Sequence, residues 1–320
     1  MSTVEQIILV TGGTGFAGSH LAELLLQSGS ACEVHLTHVT PISPELEQLL
    51  PKAHFHEIDL TDATAVKHLL TSVKPTHIYQ LASIPVVGDS FELATEIFQV
   101  NSAVVHNLFE AARTITPDAR ILVVTSAEVY GASTSAAELP INELHALRPV
   151  NPYGISKVTQ DLLADCYHRA FGLDIIRVRP FNHIGERQQA GFAVADFCKQ
   201  IVAIERGQAA SLQVGNLTTQ RDFTDVKDMV RGYQMLMANG AIGDVYNLGS
   251  GTAVSMQAVV NQLIALAHKP INVEQIQARI RPTDIPIMQA DASKARALGW
   301  VPEIPLSVTL QRILADWRSK

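Results

Sequence analysis

Short runs of hydrophobic residues alternate with stretches of helical periodicity through the first 180 residues. Ile7–Val10 predicts a first strand, and FAGSHLAELLLQ at 16–27 predicts an amphipathic helix directly after it. Further predicted strands lie at 33–37, 54–59, 77–82, 120–125 and 174–179, and long helices at 92–113 and 153–171. Alternation of this kind is typical of right-handed βαβ units, so we predict an α/β fold with a doubly wound parallel sheet.

The alternation of predicted strands and helices becomes less regular after residue 180. Helices are predicted at 192–206, 226–238, 255–267 and 308–317, with short strands at 211–214 and 245–248. No Gly/Ser-rich or Pro-rich linker separates the two halves, which favours a smaller lobe packed closely on the first. We therefore divide the chain into 1–180 and 181–320, with segments near 221–250 returning to the first domain.

Composition narrows the classes of function. Of the 320 residues 47% are hydrophobic and 17% charged, and the formal net charge is -7. Nucleic acids and anionic membranes need clustered positive charge, so neither is an expected partner. The three scattered cysteines, at 32, 166 and 198, indicate a reducing, cytoplasmic location. No apolar stretch approaches the roughly 18 residues of a membrane span.

A glycine-rich turn joins the first strand to the first helix. Glycines at 12, 15 and 18 give the spacing G-x-x-G-x-x-G, with Thr14 and Phe16 between them. Gly12 suits a tight turn, Gly15 lets a pyrophosphate approach the backbone, and Gly18 allows close packing of helix and sheet. The helix N-terminus adds N–H donors and the positive end of a dipole. This segment predicts a dinucleotide site.

The choice between NAD and NADP depends on the end of the second strand. An acidic residue there would bind the ribose of NAD, whereas this segment reads EVHLTHVT at 33–40. Thr37 stands at the expected tip, and His38 is able to donate a hydrogen bond to a 2′-phosphate. We predict NADP, without excluding NAD.

Tyr153 and Lys157 form a Y-x-x-x-K pair, which places both side chains on one face of a helix. Asn151 and Pro152 before them predict the N-cap and the first turn. An ammonium group and an oxidised nicotinamide nearby would lower the pKa of the tyrosine from its usual value of about 10. Ser126, at the end of a predicted strand, is placed to hydrogen-bond a reacting carbonyl. Together they predict a proton-transfer site.

These motifs together resemble the extended short-chain dehydrogenase/reductase superfamily along essentially the whole chain. The resemblance implies a Rossmann-type sheet and a smaller C-terminal lobe that binds a nucleotide-sugar. It also implies that Asp59 and Leu60 contact the adenine and that Asn101 supports the cofactor-binding lobe. Leu81, Ala82 and Ser83 would line the nicotinamide side.

Within that superfamily the second half resembles the GDP-mannose branch. The matching segments are FNHIG at 181–185, VGN at 214–216, RDFTDV at 221–226, VYNLGS at 245–250 and RPTD at 281–284. A GDP-linked sugar is the implied substrate. Its implied ligands are Asn182, Val214, Asn216, Arg221, Arg281 and Asp284, and the two arginines are the placed cations that a diphosphate needs in an acidic protein.

Two activities of that branch differ in what they require beside Ser126. Dehydration needs a base and an acid, which the branch's dehydratases supply from two adjacent residues. Here Ala127 stands at the first position and Glu128 at the second. A reductase needs only Ser126, Tyr153 and Lys157, so we favour reduction of the C4 ketone of a GDP-4-keto-6-deoxyhexose, with Glu128 still a candidate catalytic residue.

Three alternatives stay open. The first is a GDP-mannose 4,6-dehydratase, and the second is an epimerase, against which Glu128 counts. The third is a cofactor-sensing regulator without catalysis, which the presence of both Tyr153 and Lys157 disfavours. His54 and His56 share one strand face, but without a third ligand we expect no metal site. From the resemblance we also predict a homodimer through the helices at 92–113 and 153–171.

Overall fold

A computed structural model of the chain describes residues 6–28, 32–88, 90–132, 138–280 and 285–320. Its strands are β1 (Gln6–Thr11), β2 (Cys32–His38), β3 (Ala53–Glu57), β4 (His77–Gln80), β5 (Arg120–Val124), β6 (Ile175–Pro180), β7 (Asn182–Ile184), β8 (Leu212–Val214), β9 (Gln220–Asp225), β10 (Val245–Leu248), β11 (Ala253–Ser255), β12 (Val273–Gln275) and β13 (Ile287–Met288). Its helices are α1 (Phe16–Gln27), α2 (Pro44–Leu49), α3 (Ala63–Val73), α4 (Ala94–Ile115), α5 (Pro152–Phe171), α6 (Ala193–Glu205), α7 (Val226–Asn239), α8 (Met256–Ala265), α9 (Ser293–Ala297) and α10 (Leu306–Ser319).

Seven strands form the central sheet, in the order β10-β6-β5-β4-β1-β2-β3. Every neighbouring pair in it is parallel. The strand order reverses between β1 and β4, and in open α/β sheets a ligand crevice forms at the carboxyl ends of the strands beside such a reversal. The predicted Rossmann-type fold is confirmed.

Both faces of this sheet are covered, because its strands are hydrophobic on both sides. Ile8 and Val10 pack toward a core that includes α1 and α7, whereas Leu9 packs toward α3, α4 and α5. Polar residues are therefore concentrated at the strand ends and in the loops that follow them. The candidate catalytic and binding residues therefore lie at the end of the sheet formed by the carboxyl ends of its strands.

The later part of the chain contributes to two regions. Strand β10 completes the central sheet beside β6, and α7 packs against α1. Strands β7, β9, β11 and β13 form a small separate sheet, and β8 pairs with β12. Helices α6, α8 and α10 share a further hydrophobic core beside these strands. The domain boundary at residue 180 stays a prediction.

Across the described ranges, no helix combines the length and the apolar character that crossing a membrane requires.

Most predicted elements match the structure, with helix bounds that differ by up to two residues, but the short strands β7, β9, β11, β12 and β13 were not predicted. Among the predicted strands the differences occur at the ends. Helix α1 has the predicted bounds, but β4 ends at Gln80 instead of residue 82. The cause is Thr11, whose Oγ1 accepts hydrogen bonds from the backbone N–H groups of Leu81 and Ala82, both at 3.1 Å. These bonds to a side chain replace the ladder and turn the chain out of the sheet.

Helix α5 is fixed to the sheet by a buried ion pair. Asp161 is fully buried and accepts two hydrogen bonds from the Arg179 guanidinium on β6, at 2.8 and 2.9 Å. Arg179 also donates to the Tyr130 hydroxyl at 3.0 Å, and Arg177 Nη1 lies 3.3 Å from Asp161 Oδ1. Removing one partner of such a pair leaves an uncompensated charge in the interior.

We therefore expect Asp161→Asn to lower the free energy of unfolding by about 3–5 kcal/mol, since Arg179 keeps its charge and loses its carboxylate. Urea unfolding followed by circular dichroism measures this difference. The matched control is Asp165→Asn on the same helix. Asp165 pairs with Arg169, whose side chain is 73% exposed, and with Arg177. Asp165→Asn should therefore lower the free energy of unfolding by about 1 kcal/mol or less. Equal losses in the two variants would contradict the anchoring role.

Candidate active site

The glycine-rich turn is held by the tip of β2. Gly12 has a φ of +65°, a left-handed conformation that glycine adopts without strain. Its N–H donates to Thr37 Oγ1 at 3.0 Å, and the N–H of Gly13 donates to the Thr37 carbonyl at 3.1 Å. The turn therefore keeps its shape through contacts within the protein.

Close approaches explain two of the other glycines. A Cβ atom at Gly18 would lie 2.2 Å from the Gly12 carbonyl oxygen, so Gly18 lets α1 pack against the turn itself and not, as predicted, against the sheet. The contact with the sheet is made by Gly13, where a Cβ would lie 2.7 Å from Leu36 Cβ on β2. Gly15 is exposed, and among the described residues a Cβ there would approach only the Gly12 carbonyl oxygen, at 3.2 Å.

The N-terminus of α1 opens beside Gly15. Gly15 is the N-cap, no side chain caps the helix, and its first turn contains no acidic residue. The first N–H groups of a helix lack partners within it and carry partial positive charge. With Thr14 and Phe16 half-buried on either side of Gly15, this surface suits a phosphate anion.

The tip of β2 differs from the prediction in one respect. The Thr37 side chain is buried and bonded to Gly12, so it is not free to meet a ribose. The strand continues to His38, whose Nδ1 lies 2.9 Å from the carbonyl oxygen of Thr40. A carbonyl only accepts, so Nδ1 carries a proton, and Nε2 is a donor only when the ring is protonated.

The loops after β3 and β4 lie at the same end of the sheet, where the carboxyl ends of the parallel strands meet. Asp59 Oδ1 accepts from the Thr61 hydroxyl and N–H at 2.7 and 2.8 Å, and these bonds lower the pKa of the Asp59 carboxyl. The Leu60 side chain is buried, and its carbonyl accepts from Asn107 Nδ2 at 3.1 Å. Any contact of Leu60 with a ligand is therefore made by its main chain.

Asn101 connects the loop after β4 to both long helices. Fully buried on α4, it accepts from the Ile84 N–H at 2.7 Å and donates to Ser156 Oγ on α5 at 3.0 Å. Leu81, Ala82 and Ser83 lie immediately before this anchor and are half-buried. The structure thus gives Asn101 a supporting position between the loop and the two helices, and its role toward a cofactor stays a prediction.

Tyr153 and Lys157 extend from the first turns of α5. The helix begins at Pro152 with Asn151 as its N-cap, and the Asn151 side chain accepts from the Gly154 N–H, as predicted. Lys157 Nζ donates to Gln160 Oε1 at 2.9 Å, and to Ser83 Oγ and the Val124 carbonyl at 3.2 Å each. It lies 5.7 Å from the centroid of the Tyr153 ring.

Burial dominates the electrostatics of this pair. It lowers the pKa of Lys157 to about 7. Burial also raises the pKa of Tyr153, with the Glu128 carboxylate adding to the rise and the Ser126 hydroxyl opposing it. In the protein alone the pKa of Tyr153 is raised, because burial disfavours the phenolate. The predicted lowering includes the charge of a bound oxidised nicotinamide and stays a prediction.

The segment after β5 carries Ser126, Ala127 and Glu128. Ser126 caps a short 3-10 helix (Ala127–Val129), and its Oγ accepts from the Glu128 N–H at 3.1 Å, which leaves its hydroxyl proton for another acceptor. Ala127 is 4% exposed and packs in a hydrophobic cluster. Glu128 Oε2 accepts from Asn151 Nδ2 at 2.9 Å, so this carboxylate supports the N-cap of α5.

The predicted substrate ligands are only partly brought together. Asn182 is exposed on β7 and pairs in register with Phe223, two residues from Arg221 on β9. Arg221 Nη1 donates to the carbonyls of Gln220 and Ile285, at 2.9 and 2.7 Å. Arg281 and Asp284 lie outside the described residues.

The other two predicted substrate ligands lie on and after β8. The Val214 side chain is buried in the core of the smaller lobe, so it can offer a ligand only its main chain. Asn216 Oδ1 accepts from the N–H and the hydroxyl of Thr218, at 3.0 and 2.7 Å. The local turn therefore already uses its side-chain oxygen.

Several residues that position the site were missed by the sequence reasoning. Thr11 shapes the loop after β4, and Gln160 bonds both Lys157 and the Asn101 carbonyl, the latter at 2.8 Å. The Phe16 ring stacks on His183, with centroids 5.8 Å apart, and joins the glycine turn to β7. The sequence offered one signal for such a residue, namely a polar side chain at the buried end of a strand, as at Thr11.

Comparison with known proteins agrees with this geometry. A protein-family profile described as GDP-mannose 4,6 dehydratase matches residues 9–313. GDP-6-deoxy-D-mannose reductase of Pseudomonas aeruginosa is 31% identical over 319 residues, covering 99% of each chain. GDP-mannose 4,6 dehydratase of Homo sapiens is 27% identical over 338 residues, covering 95% of this chain and 89% of that protein.

Solved structures show the same likeness. The structure of RMD from Pseudomonas aeruginosa complexed with NADPH superposes with a TM-score of 0.85 at 29% identity, covering 98% of this chain and 99% of that one. UDP-glucuronic acid 4-epimerase from Bacillus cereus, in complex with UDP-glucuronic acid and NAD, gives 0.87 at 27% identity, with the same coverage. The chain therefore belongs to the GDP-mannose 4,6 dehydratase family of the extended short-chain dehydrogenases/reductases.

Proposed function

We propose that this protein is an NADPH-dependent enzyme that reduces the C4 ketone of a GDP-4-keto-6-deoxyhexose. The proposal draws on the family, on the reductase that shares 31% of its residues, and on the NADPH-bound structure that it resembles. The observation that carries it is the composition of the segment after Ser126, where Ala127 is buried and apolar.

That segment lacks what dehydration needs. Elimination across C5 and C6 requires a base for the C5 proton and an acid for the departing hydroxyl. Ala127 supplies neither, and Glu128 is hydrogen-bonded to Asn151. Reduction requires one proton donor only. The retained Glu128 is the one feature that favours a 4,6-dehydratase as the second candidate.

Tyr153 acts as the proton donor in the proposed reaction. The bound NADPH supplies the hydride that C4 accepts. As the C4–oxygen double bond becomes a single bond, the developing alkoxide takes the hydroxyl proton of Tyr153. Burial raises the pKa of Tyr153, so the phenol is protonated at neutral pH. The alkoxide that hydride transfer produces is a strong base and takes this proton. Ser126 donates a hydrogen bond to the same oxygen, and Lys157 stabilises the phenolate that remains.

The residues present fit a dinucleotide. The cofactor pyrophosphate binds at Gly15 and the uncapped N-terminus of α1, with Gly12, Thr14, Phe16 and Gly18 shaping the turn. His38, at the tip of β2, would hold the 2′-phosphate. Asp59 and Leu60 bound the adenine side, and Leu81 to Ser83 the nicotinamide side, with Asn101, Tyr153 and Lys157 behind them.

The substrate lies across the smaller lobe in this proposal. Asn182 and Arg221 are on neighbouring strands at the lobe interface and bind the diphosphate or the sugar. Val214 and Asn216 approach the guanine, and Arg281 and Asp284 complete the set from outside the described residues. The three free cysteines fit a reducing cytoplasm.

An assay with two substrates tests the activity. Purified protein given GDP-4-keto-6-deoxy-D-mannose and NADPH should consume both in equal amounts, followed by the loss of NADPH absorbance. Given GDP-mannose and NADP⁺, it should form no 4-keto product. Conversion of GDP-mannose without net cofactor consumption would falsify the reductase assignment.

Two variants separate the roles within that assay. Tyr153→Phe should lower kcat by about 10²–10⁴-fold, because the alkoxide loses its proton donor, while NADPH affinity stays close to that of the parent protein. Glu128→Gln should keep most of the reductase activity, since its amide oxygen can still accept from Asn151. A collapse of kcat in Glu128→Gln, with an unchanged melting temperature, would give Glu128 a role in the reduction that the proposed mechanism does not assign to it.

Two glycines in the turn distinguish cofactor approach from packing. Gly15→Ala should lower the melting temperature only slightly, since alanine is a poorer N-cap than glycine. It should weaken NADPH binding at least ~10-fold, or about 1.4 kcal/mol, since its methyl group meets the cofactor. Gly18→Ala should lower the free energy of unfolding by about 1–3 kcal/mol, because its methyl group meets the Gly12 carbonyl. Differential scanning fluorimetry and NADPH titration measure both. If Gly15→Ala bound NADPH normally, the pyrophosphate would have to lie elsewhere.

We also propose that two chains associate through α4 and α5. These helices pack side by side and expose large hydrophobic side chains, at Phe98 (47%), Ile155 (47%), Leu162 (54%) and Phe171 (53%). Ile155 and Leu162 are seven residues apart and share a helix face. An apolar surface of this kind is typical of a protein interface.

Leu162→Glu should therefore convert a dimer to a monomer, because a buried carboxylate without a partner opposes association. Size-exclusion chromatography with light scattering gives the mass. Ile242→Glu, at an equally exposed position between α7 and β10 (54%), is the control and should stay dimeric. A monomeric parent protein would refute the proposed interface.

A further inference from the structure

Strands β2 and β3 bring together four side chains that can ligate a metal. Their parallel register sets His35 opposite His54 and Thr37 opposite His56. Glu33 precedes His35 by two residues and so shares its face of the sheet. One ligand atom each from Glu33, His35 and His54 lies within 4.8 Å of the others.

The sequence predicted no metal site, since it showed only the pair His54-x-His56. The missing ligand lies on another strand, 19 residues earlier, and the pairing register is what brings it into place. His35 is largely buried, with 12% of its side chain exposed, whereas 48% of the Glu33 side chain is exposed. His35 is thus held in place by the residues around it, and the cluster is open to solvent on the side of Glu33.

The His35 ring contains the orphaned atom of the cluster. Its Nε2 is shielded from solvent and has no hydrogen-bond partner among the described residues. The nearest carboxylate oxygen, Glu33 Oε2, is 3.5 Å away, at ion-pair distance. Two ligands at about 2.1 Å from a tetrahedral zinc ion are separated by about 3.4 Å. The observed gap is therefore the width that one such ion spans.

A neighbouring ring fixes the tautomer that a metal needs. His35 Nδ1 and His56 Nε2 are 2.9 Å apart and share one hydrogen bond. When a metal takes the lone pair of His35 Nε2, the ring proton lies on Nδ1 and is donated to His56. A hydrogen bond from the second ring nitrogen is the usual support of a ligating histidine. His54 stacks on His35 at 4.7 Å and is exposed, so its ring can turn toward the ion.

We propose that Glu33, His35 and His54 bind one divalent transition-metal ion of the zinc class, with His56 as the positioning residue. Two imidazoles and a carboxylate suit zinc, and water completes the coordination on the exposed side. The ion would cross-link the edge strand β3 to β2, beside the Thr37 that holds the glycine turn. The site is separate from the proposed reduction and takes no part in it.

Isothermal titration of zinc chloride into tag-free, metal-depleted protein tests the site. One ion per chain is expected. A zinc concentration of about 100 times Kd should stabilise the fold by a ~100-fold shift in the folding equilibrium, seen as a higher melting temperature. His56→Ala should weaken binding by about 10–100-fold, and His35→Ala and His54→Ala by at least as much.

Controls separate this site from scattered surface ligands. His268→Ala and Cys166→Ser remove exposed ligands elsewhere on the chain and should keep the parent affinity. His54→Ala removes an exposed side chain and should leave the fold intact, so its loss of zinc is informative even if His35→Ala unfolds. Failure of the parent protein to bind zinc, or unchanged binding by His54→Ala, would overturn the proposal.

Discussion

Helix α5 turns polar side chains toward the sheet, and the arrangement of the site depends on how they are satisfied. Ser156, Lys157, Gln160 and Asp161 are all buried, although helices on such sheets normally bury apolar faces. A buried polar group without a partner costs about 1–3 kcal/mol, so each one restricts where the helix can sit. The Asp161 pair with Arg179 on β6 sets its distance from the sheet, and the bonds of Gln160 and Ser156 to Asn101 set its position against α4.

This constraint places an amine and a phenol in a dry site. Lys157 reaches the loop after β4 and the end of β5. Tyr153, one turn earlier on α5, hydrogen-bonds Ser126. Desolvation holds Tyr153 in its neutral form and lowers the pKa of Lys157 to about 7. A bound anionic cofactor favours the ammonium form of Lys157. A site that keeps its acid protonated until a carbonyl gains electrons is suited to reduction, and this electrostatic setting agrees with the apolar side chain at Ala127.

Local patterns were sufficient to predict the sheet, the glycine turn and the pair on α5, because spacing alone fixes those features. They failed where distant segments meet. Gly18 was assigned to the sheet and instead packs on the turn, since a one-dimensional pattern does not show how the loop folds back. The pKa of Tyr153 depends on burial, which a motif does not contain. The burial of Val214 and the third member of the histidine cluster follow from strand pairing, and the sequence carries no local mark of either.

The hydrogen bond from Gly12 to Thr37 has a consequence for cofactor preference. The position at which related folds carry an acid for NAD is here a structural support of the glycine-rich turn. An aspartate introduced at Thr37 would exchange a buried hydroxyl for a buried charge and alter the turn together with the ribose pocket. In the proposed site, a change at Thr37 would thus affect cofactor selectivity and the turn together, whereas a change at His38 would affect selectivity alone. Substitutions that change the preference toward NAD, designed or natural, are therefore tolerated more readily at His38 than at Thr37.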